Sequence, residues 1–106
     1  MNTKPKFAVI GGGSWATAIA KMLCVNLDEI AWYMRNDSAI EHLQKYKHNP
    51  NYLSSVEFDI NKLKLTSDIN EAVSYADYII FAIPSAFLSA ELQKLDVSLQ
   101  DKVVFS

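Results

Sequence analysis

The chain has 106 residues, 50% hydrophobic and 21% charged, with a formal net charge of −2 at pH 7. That length holds one domain with a real core but is small for a complete enzyme, and the acidic balance argues against a nucleic-acid surface, which needs clustered Lys and Arg. No apolar run approaches the roughly 18 residues of a membrane span, and Met1 to Lys6 leads straight into a strand rather than into a signal-peptide core, so the expected compartment is the cytoplasm.

Phe7-Ala8-Val9-Ile10 is a short apolar run of strand type, and Gly11-Gly12-Gly13 is a turn. Ser14 to Val25 reads as a helix, with Ala16, Ile19, Ala20 and Leu23 spaced i, i+3, i+4, i+7 along one face. Strand, glycine turn and helix are the layout of a phosphate cradle. Gly11, Gly13 and Ala16 fill the pattern G-x-G-x-x-G/A of dinucleotide-binding proteins, in which each small residue has its own job. Gly11 allows the tight turn, Gly13 lets the backbone approach a pyrophosphate, and Ala16 lets the helix sit close to the strand. The unpaired N–H groups and positive dipole end of the helix then stabilise a dianion without any lysine. Ser14 also reads as the helix cap. Cys24, among Met22, Leu23 and Val25, reads as a small hydrophobe at the helix–sheet contact, and a single cysteine fits a reducing environment.

The chain turns at Asn26-Leu27-Asp28 and enters a second strand, Glu29 to Met34, which a polar break at Arg35-Asn36-Asp37 ends. This is roughly 20 residues beyond the glycines, where an acidic side chain would bind the ribose 2′-hydroxyl of NAD or an Arg would accommodate the 2′-phosphate of NADP. Arg35 holds the place, so the local chemistry leans toward NADPH over NADH, although an Arg can also stack on adenine while NAD is bound. Asp37 or Ser38 starts the next helix, with Ser38 and Glu41 as a capping box and Lys45, Lys47 and His48 as its basic end. His42 and His48 lack Cys or carboxylate partners at ligand spacing, so no metal site is expected. Asn49 to Ser55 is turn chemistry. Leu63 to Thr66 reads as a third strand, and a helix capped by Asp68 follows, burying Ile69, Ala72, Val73 and Ala76.

Tyr78 to Ile83 is an almost uninterrupted apolar run, as expected of a parallel strand covered on both faces. Pro84 ends it, and Ser85 can cap a helix whose stripe is Leu88, Leu92 and Leu95, Glu91 excepted. Lys102 to Phe105 begins a fifth strand. Strands alternating with helices mean an α/β fold of Rossmann type: a doubly wound parallel sheet in three α/β/α layers, order 3-2-1-4-5, with a ligand site at the carboxyl ends of the strands. The chain stops inside a strand and offers no convincing acid, base or substrate clamp. It therefore reads as a fragment, an N-terminal dinucleotide-binding domain over residues 1–106 whose catalytic residues and substrate domain lie elsewhere.

Several motifs, in order along nearly the whole chain, resemble one family. Gly11 to Ala18 looks like its G-A-G-S-W-G-T-A, Trp32 to Arg35 like its W-x-x-R, Asn49-Pro50-Asn51-Tyr52-Leu53 like its N-P-x-Y-L, and Ala82-Ile83-Pro84-Ser85 like its A-V-P-S. The family is the bacterial-type NAD(P)-dependent glycerol-3-phosphate dehydrogenase, whose cofactor-binding part this chain resembles. The resemblance implies that Ser14 and Trp15 line the pyrophosphate and nicotinamide side of the cofactor, that Arg35 meets the adenosine ribose or its phosphate, and that Pro84 and Ser85 sit beside the cofactor at the end of strand four. It implies a reaction interconverting sn-glycerol 3-phosphate and dihydroxyacetone phosphate with NAD(P)H, supplying phospholipid backbone, and it leaves a homodimer open. The family's lysine beyond strand five and its helical second domain have no counterpart here. Ala16 replaces the usual glycine, and Met34 stands where relatives are often polar. Duller readings stay beside these: Trp15 as a surface aromatic or packing anchor, Ser14 as a cap only, Pro84 as a strand stop. Two alternative functions remain, another two-domain reductase of ketopantoate or hydroxyacid type and a non-catalytic dinucleotide-sensing module.

Overall fold

The computed structural model describes residues 5–49 and 57–105, so the turn read over 49–55 lies, past Asn49, outside the described residues. Along them run β1 (Phe7–Ile10), α1 (Ser14–Asn26), β2 (Ile30–Tyr33), α2 (Asp37–Tyr46), a short 3-10 turn (Ile60–Lys62), β3 (Leu63–Thr66), α3 (Ile69–Tyr75), β4 (Tyr78–Phe81), α4 (Ser85–Gln93) and β5 (Val103–Phe105). The strands form one five-stranded sheet in the order β3-β2-β1-β4-β5. Every neighbouring pair is parallel, with Val9 opposite Trp32 on one side and Ile80 on the other. This is the expected order.

The period of two along each strand divides the core between the two faces of the sheet. Val9, Ile30 and Trp32 point to the side covered by α1 and α2, where they meet Ala16, Ala20, Cys24, Ile40, Leu43 and Phe58. Ala8, Ile10, Ala31, Tyr33, Ile79 and Phe81 point to the other side and meet Ile69, Ala72 and Val73 of α3, with Leu88 and Leu95 packed beside them. Both faces are covered, which is why β1, β2 and β4 are apolar throughout. Cys24 lies in the first of these layers as anticipated, and burial pushes its thiol pKa up against the opposing charges of Lys62 and Lys21.

The helix starts differ from the sequence reading in three places. Asn36, not Asp37 or Ser38, caps α2: its side chain accepts from the Ser38 N–H at 3.0 Å, and Ser38 spends its own hydroxyl on the same oxygen. Gly13 and Pro84, rather than Ser14 and Ser85, are the cap residues of α1 and α4, and no side chain caps either helix. Both serines have already entered the helix, where a short side chain cannot reach back to the free N–H groups. The predicted cap of α3 is present, since Asp68 accepts from Asn70 N–H at 2.9 Å. On α4 the expected stripe is also rotated. Glu91 is 4% exposed whereas Leu92 is 38% exposed, because Glu91, three residues after Leu88, shares its inward face.

Among the described residues no helix is long and apolar enough to cross a membrane. The winding of the chain reverses between β1 and β4, and a cleft opens there at the carboxyl ends of the strands.

Candidate cofactor site

The β1–α1 turn forms the floor of the cleft, and its glycines serve different ends. Gly11 has φ +136°, a conformation that L side chains rarely adopt, and a Cβ there would lie 3.0 Å from the Ala82 carbonyl carbon and closer still to its oxygen. The backbone of the turn is pressed against β4. Gly11 N–H donates to the Tyr33 carbonyl at 3.0 Å, and the Gly11 carbonyl accepts from the Trp32 indole N–H at 2.7 Å. Gly13 is extended, at φ −83° and ψ −173°, which any residue can adopt. A Cβ on Gly13 would meet nothing within 4 Å. Its missing side chain leaves space that the protein itself does not fill, just where α1 begins with no capping side chain and no acid in its first turn. Open space before unspent N–H groups and a positive dipole end is the arrangement a pyrophosphate requires. Ala16 is fully buried one turn on and packs with Val9 in the layer between α1 and the sheet.

Side chains from distant segments fix this turn. Asn49 is 1% exposed, and its amide donates to the Gly12 carbonyl at 3.1 Å and to Thr17 Oγ1 at 3.1 Å. Thr17 in turn donates its hydroxyl to the Gly13 carbonyl at 2.7 Å. Trp32, Asn49 and Thr17 thus each hold one carbonyl of the loop. Sequence reasoning missed all three as positioning groups. Asn49 had been visible as the first residue of a turn and of the N-P-x-Y-L resemblance, with no role in holding the glycine loop.

The cleft is about 310 Å³ and is walled by the end of β2 and the start of α4, with Arg35, Ile83, Pro84, Phe87 and Glu91 along it. That volume is near the lower end for a small-molecule site, enough for part of a dinucleotide. The Arg35 guanidinium carbon lies 5.5 Å from the centre of the Phe87 ring, a cation-π distance. Glu91 accepts from the Tyr33 hydroxyl at 2.5 Å on Oε2 and from Lys94 Nζ at 3.3 Å on Oε1. Burial, then the hydrogen bond to Glu91 and its charge, push the Tyr33 phenol pKa well above its ordinary value, with Arg35 acting the other way. The phenol therefore remains a donor to Glu91.

Of the residues singled out in the sequence, Gly11, Gly13, Arg35 and Pro84 line this cleft together. Ala16 supports it from below. Ser14, Trp15 and Ser85 are exposed and are not among its walls, Trp15 at 57% exposure. The His42 and His48 rings pack 4.9 Å apart on α2 and the turn after it. Among the described residues no three His, Cys, Asp or Glu side chains gather as a metal site would need.

Comparison with known proteins agrees with this geometry. The profile of the family described as "NAD-dependent glycerol-3-phosphate dehydrogenase N-terminus" matches residues 6–105. A glycerol-3-phosphate dehydrogenase [NAD(P)+] of Staphylococcus carnosus is 31% identical over 100 residues, 94% of this chain and 30% of the relative. One from Tropheryma whipplei is 39% identical over 92 residues, 87% of this chain and 26% of the relative. The chain thus spans about a third or less of the curated relatives it matches. Among solved structures, glycerol-3-phosphate dehydrogenase from Saccharomyces cerevisiae superposes with a TM-score of 0.75 at 25% identity, covering 94% of this chain and 31% of that one. The enzyme from Dunaliella salina gives 0.81 at 23% identity, covering 95% and 20%, a likeness of fold. With the profile matched from Lys6 to Phe105, the chain belongs to the family of N-terminal domains of NAD-dependent glycerol-3-phosphate dehydrogenase.

Proposed function

We propose that this chain is the dinucleotide-binding domain of an enzyme that interconverts sn-glycerol 3-phosphate and dihydroxyacetone phosphate with NAD(P)H. The observation that carries the reading is the open space over Gly13 in front of an uncapped helix start. In this reading Gly11, Gly13 and Ala16 shape the cradle, and the N–H groups at Ser14 and Trp15 meet the pyrophosphate. Trp15 and Ser14, exposed at the mouth, face the nicotinamide half, and Pro84 with Ser85 flanks the cofactor at the end of β4. The bound nicotinamide supplies the hydride chemistry; this chain's residues bind and orient it, and the acid, base and substrate-holding groups belong to a second, helical domain. Such an enzyme would act in the cytoplasm to supply phospholipid precursors, with a homodimer left open.

Arg35 stands where the adenosine 2′ position falls, and its guanidinium is suited to a bidentate hold on a phosphate, so we assign a modest preference for NADPH. Calorimetric titration of the folded chain with NADPH and NADH in parallel tests both statements. Saturable binding supports the dinucleotide site, and no binding by the folded chain removes it. Arg35→Asp should turn the preference toward NADH by about tenfold or more; an unaltered ratio means that Arg35 does not read the 2′ position.

A further inference from the structure

Covalent geometry orders the cleft. A dinucleotide with its pyrophosphate at the start of α1 and its ribose at the end of β2 must carry its base onward, away from the glycines. The part of the cleft left for it is lined by Ile83, Pro84, Phe87 and Glu91. Flat groups stand ready there, since the Arg35 guanidinium lies over the Phe87 ring at 5.5 Å and both can stack on a base.

Glu91 is the anomaly of this wall. It shares the inward face of α4 with Leu88, which packs against the core layer under that face, as Leu95 does just beyond the helix. Burying a carboxylate to 4% exposure is costly unless its lone pairs are filled. Tyr33 and Lys94 fill one position on each oxygen. A carboxylate offers about four, so acceptor capacity remains on a side chain that lines the cleft. The Tyr33 hydroxyl fixes its orientation from the last residue of β2, two positions before Arg35. That spare capacity suits one more donor, and the donor that a stacked adenine presents at its edge is the 6-amino group.

We propose that Glu91 is a specificity residue that accepts a hydrogen bond from the 6-amino group of an adenine stacked on the Arg35–Phe87 pair, so that the slot selects an aminopurine. The inference rests on the reading of the cleft as a dinucleotide site. It concerns a different half of the ligand from the one the glycines hold.

The test compares NADH with its analogue in which hydrogen replaces the 6-amino group of the purine, titrated into the folded chain and its Glu91 variants. The unsubstituted chain should bind the analogue about tenfold more weakly, the worth of one hydrogen bond to a charged acceptor. In Glu91→Met, which keeps side-chain length but removes the acceptor, the two ligands should bind within about twofold of each other. Glu91→Gln retains a carbonyl and should restore part of the ratio, which a merely structural role for Glu91 would not do. Equal binding of both ligands by the unsubstituted chain overturns the assignment without touching the dinucleotide site, and this arm needs no variant to fold. An undiminished ratio in folded Glu91→Met overturns it as well. Failure of the folded chain to bind either ligand overturns it together with the cofactor reading on which it stands.

Discussion

The two ends of the cleft are built from different materials. At the β1–α1 turn the cleft is lined by glycine backbone, and the side chains that matter, Trp32, Asn49 and Thr17, work behind it by gripping carbonyls. At the β2 and α4 wall the facing groups are side chains themselves, Arg35, Phe87 and Glu91, brought together from segments far apart, with Tyr33 and Glu91 separated by 58 positions. In the proposed reading the first end meets what all dinucleotides share, a doubly charged linker, and tolerates little change because backbone cannot be substituted. The second, in the same reading, meets what distinguishes one nucleotide from another and can be altered one side chain at a time. In the proposed reading the shared chemistry falls on the rigid end and selectivity on the adjustable one.

The sharpest way to break that distinction is inside the glycine turn, where frame and ligand contact are adjacent. Gly11→Ala forces a Cβ against the Ala82 carbonyl at φ +136° and should destabilise the fold by roughly 3 kcal/mol or more, from backbone strain plus overpacking. Urea denaturation reads this directly. Gly13→Val places its side chain in open space at an ordinary backbone conformation, so the cost should be about 1 kcal/mol or less. Its affinity for NADH should nevertheless fall by more than about a hundredfold, since the added carbons occupy the approach to the pyrophosphate. A Gly13→Val chain that binds normally while folded would remove the phosphate cradle from this turn.

Asn49→Ala should have a smaller effect on both properties. It leaves the Gly12 carbonyl and Thr17 hydroxyl without their 3.1 Å partner in a buried position, at a cost of roughly 1–3 kcal/mol. Because the loop would keep its glycines and lose one of its grips, cofactor affinity should weaken without vanishing. If stability falls and affinity does not, Asn49 belongs to the frame alone, and the idea that carbonyl grips aim the N–H groups fails.

The same division decided what could be read in advance. Strand order, both covered faces and the glycine cradle follow from local patterns, because periodicity and conformational need are written in neighbouring residues. Arg35 was placed by its distance from the glycines, a spacing that the βαβ unit fixes. The α4 wall was not legible. Glu91 had been set aside as the exception in an apolar stripe, although a charged residue three positions after Leu88 was itself the signal that something polar lay inside. Its partner Tyr33 sits at the end of β2, 58 positions earlier, and no local rule joins them. The misread caps have a similar origin: serine is a good cap wherever it stands, but the register of the helix start is set by where Gly11 and Pro84 turn the chain.

The smallest expected effect separates frame from site by titration. Tyr75, at the end of α3 and away from the cleft, donates its hydroxyl to Glu29 Oε1 at 3.1 Å. Burial, then that hydrogen bond and the Glu29 charge, raise its pKa from 10.0 to about 12. A phenol held protonated in the folded state contributes stability that is fully present below its unfolded pKa, and that contribution is lost as pH rises through the folded value. The melting temperature should therefore decline between pH 10 and 12, and Tyr75→Phe, costing about 1 kcal/mol at neutral pH, should make that decline shallower while leaving NADH affinity unchanged. Tyr33 is raised in the same direction by its contact with Glu91, so Tyr33→Phe should also flatten the alkaline decline, but it should in addition erode the preference for an aminopurine by loosening Glu91. Two tyrosines with the same titration sense and opposite consequences for binding would place the boundary between frame and site at Glu91. A Tyr75→Phe chain whose melting follows the parent across this window would show that Tyr75 is not the group that titrates.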